Sequence, residues 1–265
     1  MRHSKRAYGE WVFSPALKGA RDTPRSTRIK NLVQLCADMG MRGDRLRDEV
    51  ATNDAAIAME IEAYSGRCVH FFFTGAGFAS WLTQCSTPIA RDMQTIVDRF
   101  MDHLGKGDNS ESFMLHFEGG DSNVYLAKWC ETVDGRSILM VRTKTSPFIF
   151  SFCPDAEDSA RDNSDADTMD AQHTLGSAMA YMQAFPDTVM DGIPENLRNP
   201  NHSRHHTCRS VCMAEDIIIR DGPSPHYRVG HFRLLLSERF TKKRGQVVFV
   251  RGCFVKGKAE TVKGV

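Results

Sequence analysis

Apolar residues recur at helical spacing in four stretches of the chain and at strand spacing in several others. Leu32, Leu35, Cys36 and Met39 predict a helix over 31–39, and Ala56, Ile57, Met59 and Ile61 a second over 54–64. Residues 68–73 form a nearly continuous apolar run and predict a buried strand, which Thr74-Gly75-Ala76-Gly77 turns into a short segment over 78–82. Ile89, Met93, Ile96, Val97, Phe100, Met101 and Leu104 fall on one face of a helix over 89–104. Four β-rich runs follow, at 112–118, 123–132, 137–143 and 148–153, joined by Gly119-Gly120-Asp121, Val133-Asp134-Gly135 and Ser146-Pro147, which read as hairpin connections. A polar stretch over 154–170 with seven acidic residues predicts a solvated loop, and a fourth helix is expected over 168–185, ended by Pro186. Further strands are expected at 215–220, 227–236, 247–251 and 254–259. The predicted class is α+β: helices packed on an antiparallel β-meander, followed by a small basic β-rich C-terminal module.

Charge changes this picture. The 265 residues carry 34 Lys+Arg against 33 Asp+Glu, a formal net charge of +1. By segment, residues 1–30 hold eight basic and two acidic residues, 31–221 are acidic with a net charge of −13, and 222–265 hold ten basic and two acidic residues. Neutrality is therefore a cancellation between two basic ends and an acidic middle, and the asymmetry predicts a polyanion partner for part of the surface. It also divides the chain into an N-terminal basic segment (1–30), expected to wrap the surface or stay mobile, a body (31–200) and a basic C-terminal module (201–265). The longest strongly apolar stretch, 69–73, is far short of the roughly 20 residues that span a bilayer. No apolar core of a secretion signal is seen in the first 25 residues, so the expected compartment is cytoplasmic, with the eight cysteines reduced and no membrane contact.

Three features could carry chemistry. Thr74-Gly75-Ala76-Gly77 lacks both the third glycine of a dinucleotide fingerprint and a Walker lysine, and reads as a plain strand-to-helix turn. His202, His205, His206, Cys208 and Cys212 concentrate zinc-type ligands within eleven residues, although their spacing matches no standard finger. The third feature is Pro225-His226-Tyr227-Arg228-Val229-Gly230-His231-Phe232-Arg233. In a regular strand His226 and Arg228 point opposite to His231 and Arg233; a bulge at Gly230 would bring all four onto one face. Such a face offers two imidazoles for proton transfer and two guanidiniums for phosphate, with Arg239, Lys242, Lys243 and Arg244 in the next loop. It would bind RNA through Arg228, Arg233 and the loop cations, and His226 and His231 are the candidate base and acid for metal-free cleavage.

Residues 225–233, with Gln246–Val250 and Val255-Lys256-Gly257, resemble the C-terminal signature of a broad family of mobile-element proteins that includes a type V-A anti-CRISPR protein acting on its target nuclease's messenger. The resemblance covers about 40 residues, and the chain departs from it at Val229, where the family often has a second Arg, and at the more apolar Leu234-Leu235-Leu236. It implies a plasmid- or phage-borne regulator, anti-CRISPR-like, whose body binds a protein or nascent peptide and whose basic module binds RNA or the ribosome. Two alternatives stand beside it: a metal-independent ribonuclease using His226 and His231, and a zinc-stabilised interaction protein without catalysis.

Overall fold

The computed structural model describes residues 17–75, 77–85, 90–108, 110–118, 124–131, 137–143, 150–152, 166–193, 207–214, 227–228 and 230–254. Three helices come first, α1 (Leu17–Asp22), α2 (Arg25–Asp38) and α3 (Gly43–Tyr64), then strand β1 (Val69–Thr74) and helices α4 (Phe78–Gln84) and α5 (Ala90–Asp108). The expected meander is present as β2 (Ser112–Phe117), β3 (Val124–Glu131), β4 (Ser137–Thr143) and β5 (Phe150–Phe152), followed by α6 (Ala166–Ala184). A 3-10 turn at Pro186–Thr188 leads into β6 (Val189–Asp191) and β7 (Thr207–Cys212). The remaining strands are β8 (Tyr227–Arg228), β9 (His231–Leu234), β10 (Val247–Val250) and β11 (Cys253–Phe254). The class is α+β, as the periodicity predicts.

Strands β1 to β7 form a mixed sheet in the order β5-β4-β3-β2-β1-β7-β6. β1 runs parallel to both neighbours, with Phe71 opposite Leu115 on one side and Arg209 on the other, and the meander pairs antiparallel. A strand with two parallel neighbours is usually covered on both faces, which explains its unbroken apolar sequence. One face of the sheet, including Val69, Phe71, Phe73, Phe113, Leu115 and Phe117, lies in the main core with residues of α4, α5 and α6. On the other face Cys68, Met114, Val124 and Leu126 pack with Met59 and Ala63 of α3. There His70 and His116 lie on adjacent strands with Nδ1 and Nε2 3.0 Å apart, and His116 stacks on Phe72.

Over residues 174–182 helix α6 is buried all round because partners surround it. Leu175, Ala178, Met179, Ala180 and Tyr181 are all almost completely buried, and Gly176 lets the Met93 thioether of α5 approach so closely that a Cβ would lie 2.4 Å from its methyl. The outer layer of α2 and α3 is tied by charge. Asp54, 5% exposed, accepts from Arg25 at 2.8 Å and Arg28 at 3.3 Å. Lys128 of β3 reaches Glu62 of α3 at 2.7 Å and Glu111 at 3.2 Å. Burial alone would lower the Lys128 ammonium, but its hydrogen bonds to the two carboxylates outweigh this and raise it.

Of the basic segment 1–30, residues 1–16 lie outside the described residues, while 17–30 form α1 and the start of α2, with Leu17 buried and Arg25 and Arg28 bound to the body. The division expected at residue 200 is crossed by the sheet, since β7 lies between β1 and β6. The strand expected over 215–220 lies outside the described residues.

The C-terminal hairpin shares the same core. On β9 and β10, Phe232, Leu234 and Val247 are buried, with Phe249 packed against them. The Phe249 ring sits 5.3 Å from Trp81, 6.1 Å from Phe185 and 5.1 Å from Phe232. The pairs Val250↔His231 and Cys253↔Arg228 leave two residues between them on each strand, so the register runs through unshifted and no extra residue is inserted at Gly230. The expected bulge is absent. Gly230 serves a different purpose: a Cβ there would lie 2.5 Å from the tip of the Phe249 ring. Because that ring is wedged between three other aromatics, overpacking by Gly230→Ala should cost about 1–3 kcal/mol in urea unfolding. Adding Phe249→Leu should make the two costs less than additive. Full stability of Gly230→Ala alone would contradict the packing.

Candidate nucleic-acid interface

Alternation along β9 sorts its side chains: Phe232 and Leu234 are buried in the body, His231 is half-buried and Arg233 is exposed. His231 and Arg233 are two apart and share the outer side of the hairpin. The connection to β10 is an ordered series of turns. Phe240 N–H donates to the Ser237 carbonyl at 3.0 Å, Lys243 N–H to Phe240 at 3.1 Å and Gln246 N–H to Lys243 at 3.0 Å. Gly245 takes φ +80°, a left-handed conformation that favours glycine, and its N–H donates to the Leu235 carbonyl at 2.6 Å. This fold presents Arg239, Lys242, Lys243 and Arg244 as exposed residues on one short turn.

Several cations of the body are neutralised. Arg25, Arg28, Lys128, Arg142 and Arg209 are each bound to a carboxylate. Among the described residues, Arg233, Arg239, Lys242, Lys243 and Arg244 have no such partner. Arg99 of α5 adds to this group: its Nη2 would lie 3.0 Å from a Cβ placed on Gly245, so the guanidinium rests against the turn. Sequence reading missed Arg99 because it belongs to the polar side of an otherwise ordinary amphipathic helix. His103, one helical turn further on, was the signal that could have marked that side.

The remaining predicted positions lie partly outside the described residues. His226 lies outside the described residues, and Arg228 pairs with Cys253 in a separate two-stranded ladder. The described pairs place Arg228 three positions before His231 with no offset between the two ladders. Of the zinc-type set, His202, His205 and His206 lie outside the described residues, while Cys208 and Cys212 stand on β7. Four steps along an extended strand separate their α-carbons by roughly 13 Å. Two thiolates at about 2.3 Å from one zinc ion would be far closer, so these cysteines do not serve a common ion. Cys212 Sγ instead accepts from Thr74 Oγ1 at 3.4 Å. Among the described residues no group of three or more His, Cys, Asp or Glu could hold a metal ion.

The Thr74–Gly77 turn leads from β1 into α4, as expected of a strand-to-helix connection. Gly75 N–H donates to the Glu118 carboxylate at 2.8 Å, so an anionic side chain already occupies the donor that a phosphate loop would offer. No helix among the described residues is long and apolar enough to cross a membrane. Comparison with protein-family models, with curated proteins and with solved structures gives no match.

Burial raises the thiols of Cys85 to about 12 and of Cys130 and Cys208 to about 11, from an ordinary value of 9.0. A group kept protonated by folding stabilises fully below its unfolded value and loses that contribution as pH rises through its folded value. The urea midpoint should therefore fall as pH climbs from 9 toward 11. At about pH 8, iodoacetamide should spare these three cysteines in the folded chain and modify them in denaturant, read by peptide mass spectrometry. Rapid native alkylation of Cys208 would contradict the burial.

Proposed function

We propose that this chain is a mobile-element regulatory protein that binds RNA, free or within the ribosome, through the outer side of its C-terminal hairpin. The observation that carries this reading is the exposed basic turn at 239–244, held in a defined shape and without acidic partners among the described residues, on a protein whose inner cations are neutralised. Unpaired cations at fixed spacing gain most from a polyanion, because each neutralised phosphate releases counterions. Arg233 and Arg99 widen the patch beyond the turn itself. The resemblance at 225–233 supplies the mobile-element context and a second partner for the body, a protein or nascent peptide.

The ribonuclease reading depends on His226, which lies outside the described residues, and so has no comparable support. A zinc-stabilised scaffold loses the pairing of Cys208 with Cys212.

Fluorescence anisotropy with a labelled single-stranded RNA tests it. The triple variant Lys242→Ala, Lys243→Ala, Arg244→Ala should weaken binding about ten-fold or more near 100 mM salt. Its plot of log affinity against log salt should flatten by about 2, since each phosphate contact contributes roughly 0.7 for single strands. Unchanged affinity and slope in this variant would overturn the proposal.

A further inference from the structure

An open cleft of about 280 Å³ lies where α5, the end of α6 and the β6–β7 edge meet over β1. Phe71, Phe100 and Val189 give it an apolar lining, and Arg99, His103 and Arg209 stand around it. Arg209 is held in place: Nη2 donates to Asp108 Oδ1 at 2.8 Å, Nε lies 3.5 Å from Asp191 Oδ1, and the guanidinium carbon is 5.8 Å from the centre of the Phe71 ring. Its Nη1 has no acceptor among the described residues. Asp108 and Asp191 offset the Arg209 charge, so Arg209 offers the cleft oriented N–H donors rather than net charge. The free positive charge comes from Arg99, which has no carboxylate partner among the described residues.

Arg99 also touches the hairpin. It lines the cleft and rests against Gly245 at the end of the basic turn, so turn and cleft form one continuous track. A cationic track leading to an aromatic-lined recess with fixed donors matches the chemistry of a single-stranded nucleic acid: phosphates follow the cations, and an unstacked base enters the recess. A paired helix keeps its bases stacked and offers nothing to the recess.

We infer that this cleft is a base pocket for one unstacked nucleotide of a single-stranded RNA whose backbone lies on the basic turn. This rests on the RNA-binding reading and adds to it a second contact site and a preference for single strands. Arg99 holds a phosphate between the two sites, the apolar lining takes the base, and Arg209 Nη1 donates to the base edge.

The test uses the full chain and a labelled twelve-nucleotide RNA, alongside an abasic ribose-phosphate oligomer of equal length. Val189→Trp fills the cleft and should weaken RNA binding about five-fold or more while leaving the abasic oligomer unaffected. His103→Ala removes an imidazole that lines the cleft beside the base, at an exposed position that tolerates truncation; it should weaken RNA binding in the same selective way and serves if the tryptophan variant does not fold. Arg99→Ala should weaken both oligomers. In the wild type, RNA carrying 4-thiouridine should crosslink under long-wave ultraviolet light to peptides from α5 or from 182–191. Crosslinks confined to the hairpin, with His103→Ala and any folded Val189→Trp protein binding RNA as the wild type does, would overturn the base pocket. If the turn variant still lost affinity in that case, the hairpin reading would stand. A wild-type chain with no affinity for either oligomer would overturn both.

Discussion

Strand β1 has hydrogen-bonded neighbours on both edges and side chains buried on both faces. A strand so placed needs a protein layer above and below the sheet, since five of its six residues are buried. The two layers differ in kind. Beneath α4, α5 and α6 the cover is almost purely apolar and aromatic, whereas α3 mixes a small apolar cluster with ion pairs to β3 and β4. The parallel partners of β1 come from far apart in the chain, β2 after two helices and β7 more than a hundred residues later. Residues 207–212 therefore complete the body, and the C-terminal hairpin begins only after that has been done.

The hairpin adheres through aromatic contact rather than through charge. Phe232 and Phe249 close over Trp81, Tyr181 and Phe185, and this apolar seal leaves the outward side chains of the same strands uncommitted. That division explains how a chain of formal charge +1 can present a concentrated basic surface. Counting charge by segment exposes the asymmetry, but the count overstates what the N-terminal segment has to offer. Arg25 and Arg28 are both bound to Asp54. Arg239, Lys242, Lys243 and Arg244 of the C-terminal turn have no acidic partner among the described residues.

Elements with strong local periodicity were readable from the residues alone. The apolar face of α5 and all four strands of the meander occur within a few positions of their expected limits, because a one-sided core writes its period directly into the chain. β7 was not readable. Its Cys208-Arg209-Ser210 looks like a polar connector, yet Arg209 finds Asp108 and Ser210 donates to the Gly192 carbonyl at 2.9 Å. Periodicity registers polarity and cannot register a partner 101 residues away. Gly230 failed for a related reason: a glycine in a strand signals either a bulge or a close neighbour, and only the position of Phe249 distinguishes them.

The sequence by itself determined the α+β class, the order of the later helices and the meander strands, the thiol-rich apolar runs and the accumulation of cations near the C-terminus. Each depends on short-range spacing or on simple counting. The tertiary structure decided which of those cations remain free, which face of the hairpin carries them, and that Arg99 from a distant helix lies beside their turn. It also decided that Cys208 and Cys212 stand apart. These outcomes depend on contacts between residues remote in sequence, where burial and partner choice override the local preferences that a linear reading can measure.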